Sequence, residues 1–186
     1  MEQREKNIVD AAVRVFHRYG VKRASMNDIA EEAGVARQTL YNVYSNKDDI
    51  LRGAIRKYCE DAIAAIESEL PYLNTLEAQI ALVLRESTLK PYTILHSSPN
   101  AQDLIDGFNE TGREELEKSS VAFRDQLIRI LTPHADSLSS KGLEPVRLAE
   151  IVQRAAGAFK YQATDQAHLE AMLDGLVNLA VAASRT

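Results

Sequence analysis

The sequence predicts an all-α protein, and three observations support this fold class. Apolar residues recur at helical spacing along the whole chain, and no run of alternating Val, Ile or Thr indicates a strand. Helix-forming Leu, Ala, Glu, Arg and Gln are abundant, whereas the 186 residues include only eight Gly and five Pro. An apolar fraction of 45% and a charged fraction of 26% are typical of a folded globular protein. We therefore expect about nine helices.

The first two helices are marked by clear boundary residues. Ile, Ala, Val, Phe and Tyr share one helical face over about 4–19, and Gly20 follows as a C-terminal glycine. Ser25 can cap the next helix, over about 26–33, and Asp28 stands where an approximate capping box places its acidic residue. These local signals predict two consecutive helices joined by a short connection.

A short third helix and a long fourth helix should follow. The third is expected over about 36–43 and is held inward by Leu40 and Tyr44. Ser45 and Asn46 are both candidates to cap the fourth helix, whose apolar stripe continues until Pro71 stops it.

The middle of the chain should contain two more helical stretches. A helix is expected over about 75–89, with Ser87 on its buried face, and Pro91 should begin a separate short segment that ends near residue 97. A long helical stretch over about 101–132 contains two glycines, Gly107 and Gly112, and either of them could break it.

The C-terminal part should be a loop followed by two helices. Residues 132–143 are rich in Ser, Pro, Asp and Gly and are interpreted as a polar loop. Pro145 is well placed as the first residue of a helix that ends near residue 161. Thr164 is expected to cap the last helix, over about 165–184.

Composition also excludes several classes of protein. No stretch of about 18 apolar residues predicts a membrane span, and the charged N-terminus does not resemble a secretory signal, so we expect a cytoplasmic protein without a membrane partner. Cys59 is the only cysteine, and the four histidines lack metal-ligand spacing, so neither a metal site nor a cofactor is expected. Glycine-rich phosphate loops and catalytic triads are missing from the sequence, which gives an enzyme no support.

The charge is distributed unevenly along the chain. Residues 1–60 contain eleven Lys and Arg against nine Asp and Glu, a net charge of +2, whereas the remainder carries −7. A basic N-terminal third on an acidic body favours a local contact with a polyanion, although a solvated surface of mixed charge would give the same numbers.

Two short helices around the turn at Gly34 form a helix-turn-helix pattern. A helical hairpin inside a bundle would have the same pattern, so both interpretations remain open at this point. The third helix favours DNA binding, because it has few apolar residues and many side chains that can contact bases or phosphates. Arginine suits guanine, and glutamine or asparagine suits adenine. These side chains are Arg37, Gln38, Thr39, Tyr41 and Asn42.

Two cations at helix N-termini also favour DNA binding. Arg37 lies in the first turn of helix three and Lys47 at the first position of helix four, where the helix dipole disfavours a cation by about 0.3–1 kcal/mol. A bound phosphate would relieve both, and we expect Lys47 to contact one. Tyr41 is expected at a phosphate as well, with a half-buried packing role as the alternative.

The segments AAVRVFHRYG and SMNDIAEEAGVARQTLYNVYSNKDDIL resemble the N-terminal domain of TetR-type (TetR/AcrR) transcriptional regulators. The resemblance covers about residues 6–55 and implies a homodimer with a helix-turn-helix domain over 2–62 and a ligand-binding and dimerisation domain over 63–186. Ala36 departs from the family pattern, because a serine usually caps the recognition helix there. The DNA contacts of the family fall on Ser25, Arg37, Gln38, Thr39, Tyr41, Asn42 and Lys47.

The larger domain should hold a small amphiphilic molecule and a partner subunit. Candidate ligand contacts are aromatic and polar residues of the middle helices: Tyr58, Arg85, Tyr92, His96, Phe108 and Phe123. A wide apolar stripe on the last two helices favours a symmetric dimer, with the core of one monomer as the alternative. The stripe residues are Ala156, Gly157, Leu169, Leu173, Leu176, Val177 and Ala180.

The sequence and the resemblance together predict a DNA-binding transcriptional regulator. We expect a ligand-released homodimeric repressor whose partners are a palindromic double-stranded operator and a small-molecule inducer of unknown identity. An all-helical adaptor that binds proteins rather than DNA is the alternative. The inducer, the operator sequence and the regulated genes do not follow from the sequence.

Overall fold

A computed structural model describes residues 3–185, and the all-α prediction is confirmed because every regular element in this range is helical. The count of about nine is reached when α5 and α6, joined by a π-helical turn, are taken as one helix and the five-residue α9 is set aside. The α-helices are α1 Gln3–Tyr19, α2 Met26–Glu32, α3 Arg37–Val43, α4 Lys47–Glu69, α5 Leu76–Leu84, α6 Lys90–His96, α7 Ala101–Thr111, α8 Arg113–Leu131, α9 Ala135–Ser139, α10 Pro145–Gln162 and α11 Gln166–Ser184.

The described chain packs as two compact units. The first unit combines the chain up to Asp61 with Ile94–Lys118, and the second combines Ala62–Thr93 with the chain from Ser119 onwards. This packing assigns α7 and the start of α8 to the N-terminal unit, because Leu104 of α7 lies in the same hydrophobic core as α1. The functional division into 2–62 and 63–186 therefore stays a prediction that does not coincide with the compact units.

The first unit is built around side chains from α1 to α4 that are almost completely buried. Its core includes Ile8, Phe16, Ile29, Leu40 and Ile50, none of them more than 2% exposed. Large apolar side chains of this kind each contribute about 1.5–3 kcal/mol when fully buried. The third helix is thereby fixed against the first two through one anchor, Leu40.

Glycines and a capping box determine where these helices end and begin. Gly20 follows α1 with φ of +81° and Gly34 follows α2 with φ of +64°, a region that favours glycine. The capping box is confirmed, because the Ser25 side chain accepts from the Asp28 N–H and the Asp28 side chain accepts from the Ser25 N–H. Ala36 has the extended backbone of an N-cap but gives α3 no side-chain hydrogen bond.

The second unit is formed mainly by α5, α10 and α11. α10 packs against α11, and α11 packs against α5 and α9. Pro145 opens α10 as expected. The prediction of Thr164 as the cap of α11 is wrong: Asp165 is the cap, and its carboxylate accepts from the His168 N–H at 2.8 Å. The helix begins one residue later than expected, which leaves Thr164 outside the cap.

The prediction that residues 132–143 form a polar loop is also wrong. Residues Thr132–His134 form a 3-10 turn, and Ala135–Ser139 form α9. Leu138 is completely buried, and this one apolar anchor binds the otherwise polar segment to the unit. Upstream, the break within the long stretch lies at Gly112, between α7 and α8. A Cβ added at this position would collide with the Ile55 side chain, so glycine suits it.

α5 and α6 are joined by a π-helical turn over Arg85–Leu89. The extra residue of this turn rotates the chain, so Glu86 and Thr88 are buried whereas Ser87, the expected buried residue, is only half-buried. Pro91 lies in the first turn of α6, where a missing N–H is tolerated best. The chain therefore stays helical through the position at which the proline was expected to start a separate segment.

Candidate DNA-binding surface

The outer face of α3 carries four exposed polar or aromatic side chains. Leu40 and Tyr44 turn towards the core, with exposed fractions of 0% and 6%. The opposite side of the helix is left to solvent, because a helix of seven residues is anchored here through one face only. The exposed side chains are Arg37, Gln38, Tyr41 and Asn42, and Thr39 is half-buried.

These four side chains form two pairs, each one helical turn apart. The Arg37 guanidinium carbon lies 5.4 Å from the centre of the Tyr41 ring, a cation–π distance. The Gln38 amide nitrogen donates to Asn42 Oδ1 at 3.0 Å. This bond leaves the Gln38 oxygen as an acceptor and the Asn42 amide nitrogen as a donor, the combination that an adenine edge requires.

Lys47 is held by the loop between α1 and α2. Its ammonium donates to the carbonyl oxygens of Val21, Lys22 and Ala24, the last at 3.0 Å. An ammonium has three N–H groups, so these bonds use all of them. The sequence argument that Lys47 lacks compensation at a helix N-terminus is therefore wrong, because three backbone dipoles supply it.

Ser25 is exposed and belongs to the capping box at the start of α2. Its hydroxyl donates to Asp28 Oδ2 at 2.6 Å. The hydrogen bonds from the Ser25 side chain and backbone hold the pKa of the Asp28 carboxyl below its usual value. Ser25 thus fixes the start of α2, the first helix of the helix-turn-helix.

Tyr44 connects three elements of the first unit. Its ring packs on Gly53 of α4, where an added Cβ would stand 2.7 Å from the phenol oxygen. The hydroxyl donates to Glu5 of α1 at 3.1 Å. Burial, reinforced by the Glu5 carboxylate, raises the pKa of this phenol well above its usual value. The sequence indicates Tyr44 only as an apolar anchor and gives no sign of the hydrogen bond to α1.

The loop after α1 is also fixed by α7, which the sequence did not indicate. Asp103 accepts from the Lys22 N–H at 3.0 Å, and Asn100 accepts from the Arg23 guanidinium at 2.7 Å. Arg23 also donates to the Tyr19 carbonyl at 2.9 Å. Only the tertiary fold brings residues about 80 positions apart together, so no local pattern could have revealed these contacts.

The six predicted ligand contacts stay a prediction, and they are divided between the two units. Tyr58, His96 and Phe108 belong to the first unit, and Arg85, Tyr92 and Phe123 to the second. Phe108 packs against the core around α1, and Tyr92 and Phe123 are core residues with about 5–6% exposure. Arg85 lines a cavity that lies in the second unit between α5 and α11. Residue type alone selected this set, and residue type does not distinguish a pocket from a core.

The predicted dimer stripe is largely buried within the single chain, as its alternative, a monomer core, expects. Six of its seven residues have exposed fractions of 8% or less within the single chain, so they pack in the core of the second unit: Ala156, Leu169, Leu173, Leu176, Val177 and Ala180. Gly157 alone is half-buried, and a Cβ added to it would meet open space. A helical stripe reports that a face is buried, but not whether the same chain or a partner covers it.

Within residues 3–185, no group of three His, Cys, Asp or Glu side chains is arranged to hold a metal ion. Over the same part of the chain, no helix combines the length and apolar character needed to cross a bilayer.

Helices α2 and α3, with the exposed polar face of α3, have the arrangement that is typical of a helix-turn-helix DNA-binding motif. Residues 8–54 match the family described as bacterial regulatory proteins, tetR family. The N-terminal helices therefore form a DNA-binding domain of the TetR type.

Relatives and solved structures agree with this assignment. The fatty acid metabolism regulator protein of Bacillus subtilis is 27% identical over 144 residues, which cover 77% of this chain and 69% of that protein. A TetR transcription regulator from Haloarcula marismortui has a TM-score of 0.75 at 17% identity over 98% of both chains. FadR from Bacillus subtilis, solved in complex with stearoyl-CoA, has a TM-score of 0.66 at 22% identity over 96% of this chain and 98% of that chain.

Proposed function

We propose that this transcriptional regulator is a homodimeric repressor that binds a palindromic operator and releases it when a small amphiphilic molecule binds. The exposed face of α3 carries the proposal, because its two side-chain pairs offer hydrogen-bonding groups at fixed positions. Arg37, Gln38 and Asn42 read base edges, and Tyr41 and Thr39 contact phosphates. Ser25 contacts the backbone of the DNA at the start of α2, and Lys47 holds the loop beneath it.

The experiment that tests base reading uses Gln38→Ala. This change removes no charge, so the salt dependence of operator binding should stay constant. Discrimination at one base pair of each half-site should weaken by about 1–3 kcal/mol. Binding titrations against an operator selected from a random library, and against single-base variants of it, measure both quantities.

Gln102→Ala is the matched control, because Gln102 makes the same kind of bond one helical turn away, to Asp106 at 2.8 Å, but lies on α7. The control should bind every operator variant as the unchanged protein does. If Gln38→Ala lost affinity equally on all variants, Gln38 would position the helix rather than read sequence.

A dimer places two α3 helices on one face of the DNA, with half-sites about one helical turn or a multiple of it apart. The side chains that α10 and α11 leave exposed support such a contact. They include Ile151 and Leu179, which are 47% and 70% exposed. Gly175 and Ala171 are also exposed on α11, and small residues permit close approach of a partner helix.

Ligand release requires a connection between the two units. α4 runs without interruption from Lys47 into the second unit, which begins at Ala62. A ligand can release the operator only by binding the non-DNA-binding arrangement more tightly, and the operator must then weaken ligand binding by the same factor. One relative is named a fatty acid metabolism regulator, and the similar structure of FadR contains stearoyl-CoA. Both observations support an effector with a long apolar part.

A further inference from the structure

The second unit contains a groove between α5 and α11, with a volume of about 370 Å³. We call it the α5–α11 groove. Its size suits a small organic molecule, since ligand sites usually occupy about 300–1,000 Å³. Its walls come from the end of α4 and the turn after it, from α5 and the π-helical turn, and from α11. They are Glu69, Leu73, Ala78, Ala81, Leu82, Leu84, Arg85, Leu89, Glu170, Leu173, Asp174 and Val177.

The floor of the groove is apolar and rigid. Leu82, Leu84, Leu173 and Val177 are each at most 5% exposed, so their positions are fixed by the core beneath them. Ala81 of α5 is half-buried and has a short side chain, which leaves room above the floor. A ligand that fits this surface needs an apolar body.

The rim of the groove is acidic. Three carboxylates and one guanidinium line it, a formal charge of −2. The guanidinium of Arg85 is already engaged, because it donates to Glu69 at 2.8 Å and to Glu86 at 3.1 Å. Arg85 is therefore a poor receptor for an anionic headgroup, since binding one would break two ion pairs.

The two carboxylates of α11 remain available. Glu170 accepts one bond, from Gln166 at 2.8 Å, and keeps its second oxygen. Asp174 is exposed and has no hydrogen-bond or ion-pair partner in the part of the chain that the structure describes. The two residues lie one helical turn apart, so their negative potentials add at the same end of the groove.

We infer that the α5–α11 groove binds an organic cation with an apolar body, whose positive group lies between Glu170 and Asp174 and whose apolar part covers Leu173 and Val177. This inference rests on the proposed ligand release, because it names the class of the ligand. The inferred ligand of this chain is positively charged, whereas the stearoyl-CoA bound to FadR carries negative charge.

The test compares two probes with the same chain length and opposite charge, octyltrimethylammonium and octanoate. Isothermal titration calorimetry with the full chain should find one site per chain and an affinity for the cation at least tenfold higher than for octanoate. In the double variant Glu170→Gln with Asp174→Asn, affinity for the cation should fall about 5-fold or more, because two charge contacts are removed.

Asp136→Asn with Glu144→Gln is the matched control, because it removes the same charge from two exposed carboxylates that do not line the groove. The control should retain the affinity of the unchanged protein. Ala81→Phe fills the space above the floor and should reduce binding of the cation at least tenfold, with circular dichroism confirming that the variant is folded.

Octanoate binding as tightly as the cation, or equal losses in the two double variants, would overturn the inference. Operator binding is measured separately with the cation present at saturation. The cation could bind tightly in the groove and leave operator affinity unchanged. This result would support the groove as a binding site and contradict the proposed release of the operator by a ligand. If the cation released the operator from the groove variants as well as from the unchanged protein, the proposed release would be supported and the α5–α11 groove would be excluded as the binding site.

Discussion

Lys47 lies at a helix N-terminus, where the local sequence predicts an unfavourable position for a cation, and the fold nevertheless stabilises it. The helix dipole disfavours a cation at this position, yet three loop carbonyls surround the ammonium. The loop they belong to connects α1 to the start of α2. Lys47 therefore acts as a positioning residue that fixes where the DNA-binding motif begins.

Lys47→Met should lower the free energy of unfolding by about 1–2 kcal/mol, because hydrogen bonds from a charged donor are lost at a half-exposed site. Urea denaturation measures this loss, with Lys6→Met on the exposed side of α1 as the control that should stay near zero. Operator affinity should fall on all sequences. A decrease of about 0.9 in the salt slope would instead identify a direct phosphate contact.

Glu115 provides a prediction about pH at the same scale. It is buried, and Arg56 donates to it at 3.1 Å. This hydrogen bond, assisted by the charge of Arg56, holds the pKa of the Glu115 carboxyl below its usual value. A depressed pKa means that the pair stabilises the fold above about pH 4.3, the unfolded value, and that this stability is lost as pH falls further.

Glu115→Gln should therefore cost about 0.5–1 kcal/mol at pH 7, and the difference from the unchanged protein should shrink as pH falls from about 5 to 3. Denaturation curves at several pH values measure it. Glu117→Gln, at an exposed position two residues along α8, is the control. A difference that stayed constant across this range would show that Arg56 does not stabilise the ionised carboxyl.

Helix α3 is the proposed recognition element, and it is only weakly stabilised by its own sequence. It has seven residues and no side-chain cap, because Ala36 stands at the N-cap. Helices this short are not stable alone. The backbone of Ala36, with φ of −63° and ψ of 143°, already has the extended conformation that a capping side chain requires.

Ala36→Ser should therefore stabilise the protein by about 0.5–1 kcal/mol, because the new hydroxyl can accept from an N–H in the first turn of α3. Ser25→Ala, which removes the cap of α2, should destabilise it by a similar amount. Thermal unfolding of both variants gives the comparison. An Ala36→Ser variant no more stable than the original would mean that the free N–H groups are already well solvated.

The boundaries of these elements could be predicted because their signals are local. Gly20, Ser25 and Asp28 act within a few residues of the backbone they direct, and the structure agrees with each of them. Leu138 could not be identified in the same way, because the segment 132–143 contains two leucines and only the surface that each one contacts shows that Leu138 is the buried one. Local chemistry thus predicts the DNA-binding motif better than the rest of the chain.

The ligand and partner surfaces could not be predicted for a different reason. Leu176 and Leu179 are both apolar and at helical spacing in the sequence, yet one is 8% and the other 70% exposed. Asp174 gives no signal of its own, because an acidic residue on a helix is usually solvated surface. Both distinctions depend on the rotation of α11 about its own axis, which is set by its packing against α5 and α10.

The proposed dimer is a property of the whole molecule. Leu179 is the most exposed large apolar side chain of α11, and small or polar neighbours surround it on the same face. A two-fold axis would bring the same patch of both subunits together, so one substitution alters the interface twice. The patch, rather than the buried stripe, is the place to test the assembly.

Leu179→Arg should convert a dimer into a monomer, because two charges would be introduced at one interface. Sedimentation velocity measures the change, and operator affinity should fall with it. Val121→Arg is the control, since Val121 is 46% exposed on α8. A Leu179→Arg protein that sediments as an unchanged dimer would exclude this patch as the interface.

The π-helical turn over Arg85–Leu89 has a consequence for how such regulators diversify. Compared with an α-helix, a π turn contains one residue more, so loss of a single codon here would restore α-helical phase. The helical segments on either side would then keep their orientation, and only the side chains within the turn would change the face that they occupy. Arg85 and Leu89 both lie on the groove wall, so an indel of one codon would exchange the side chains offered to a ligand in a single mutational event.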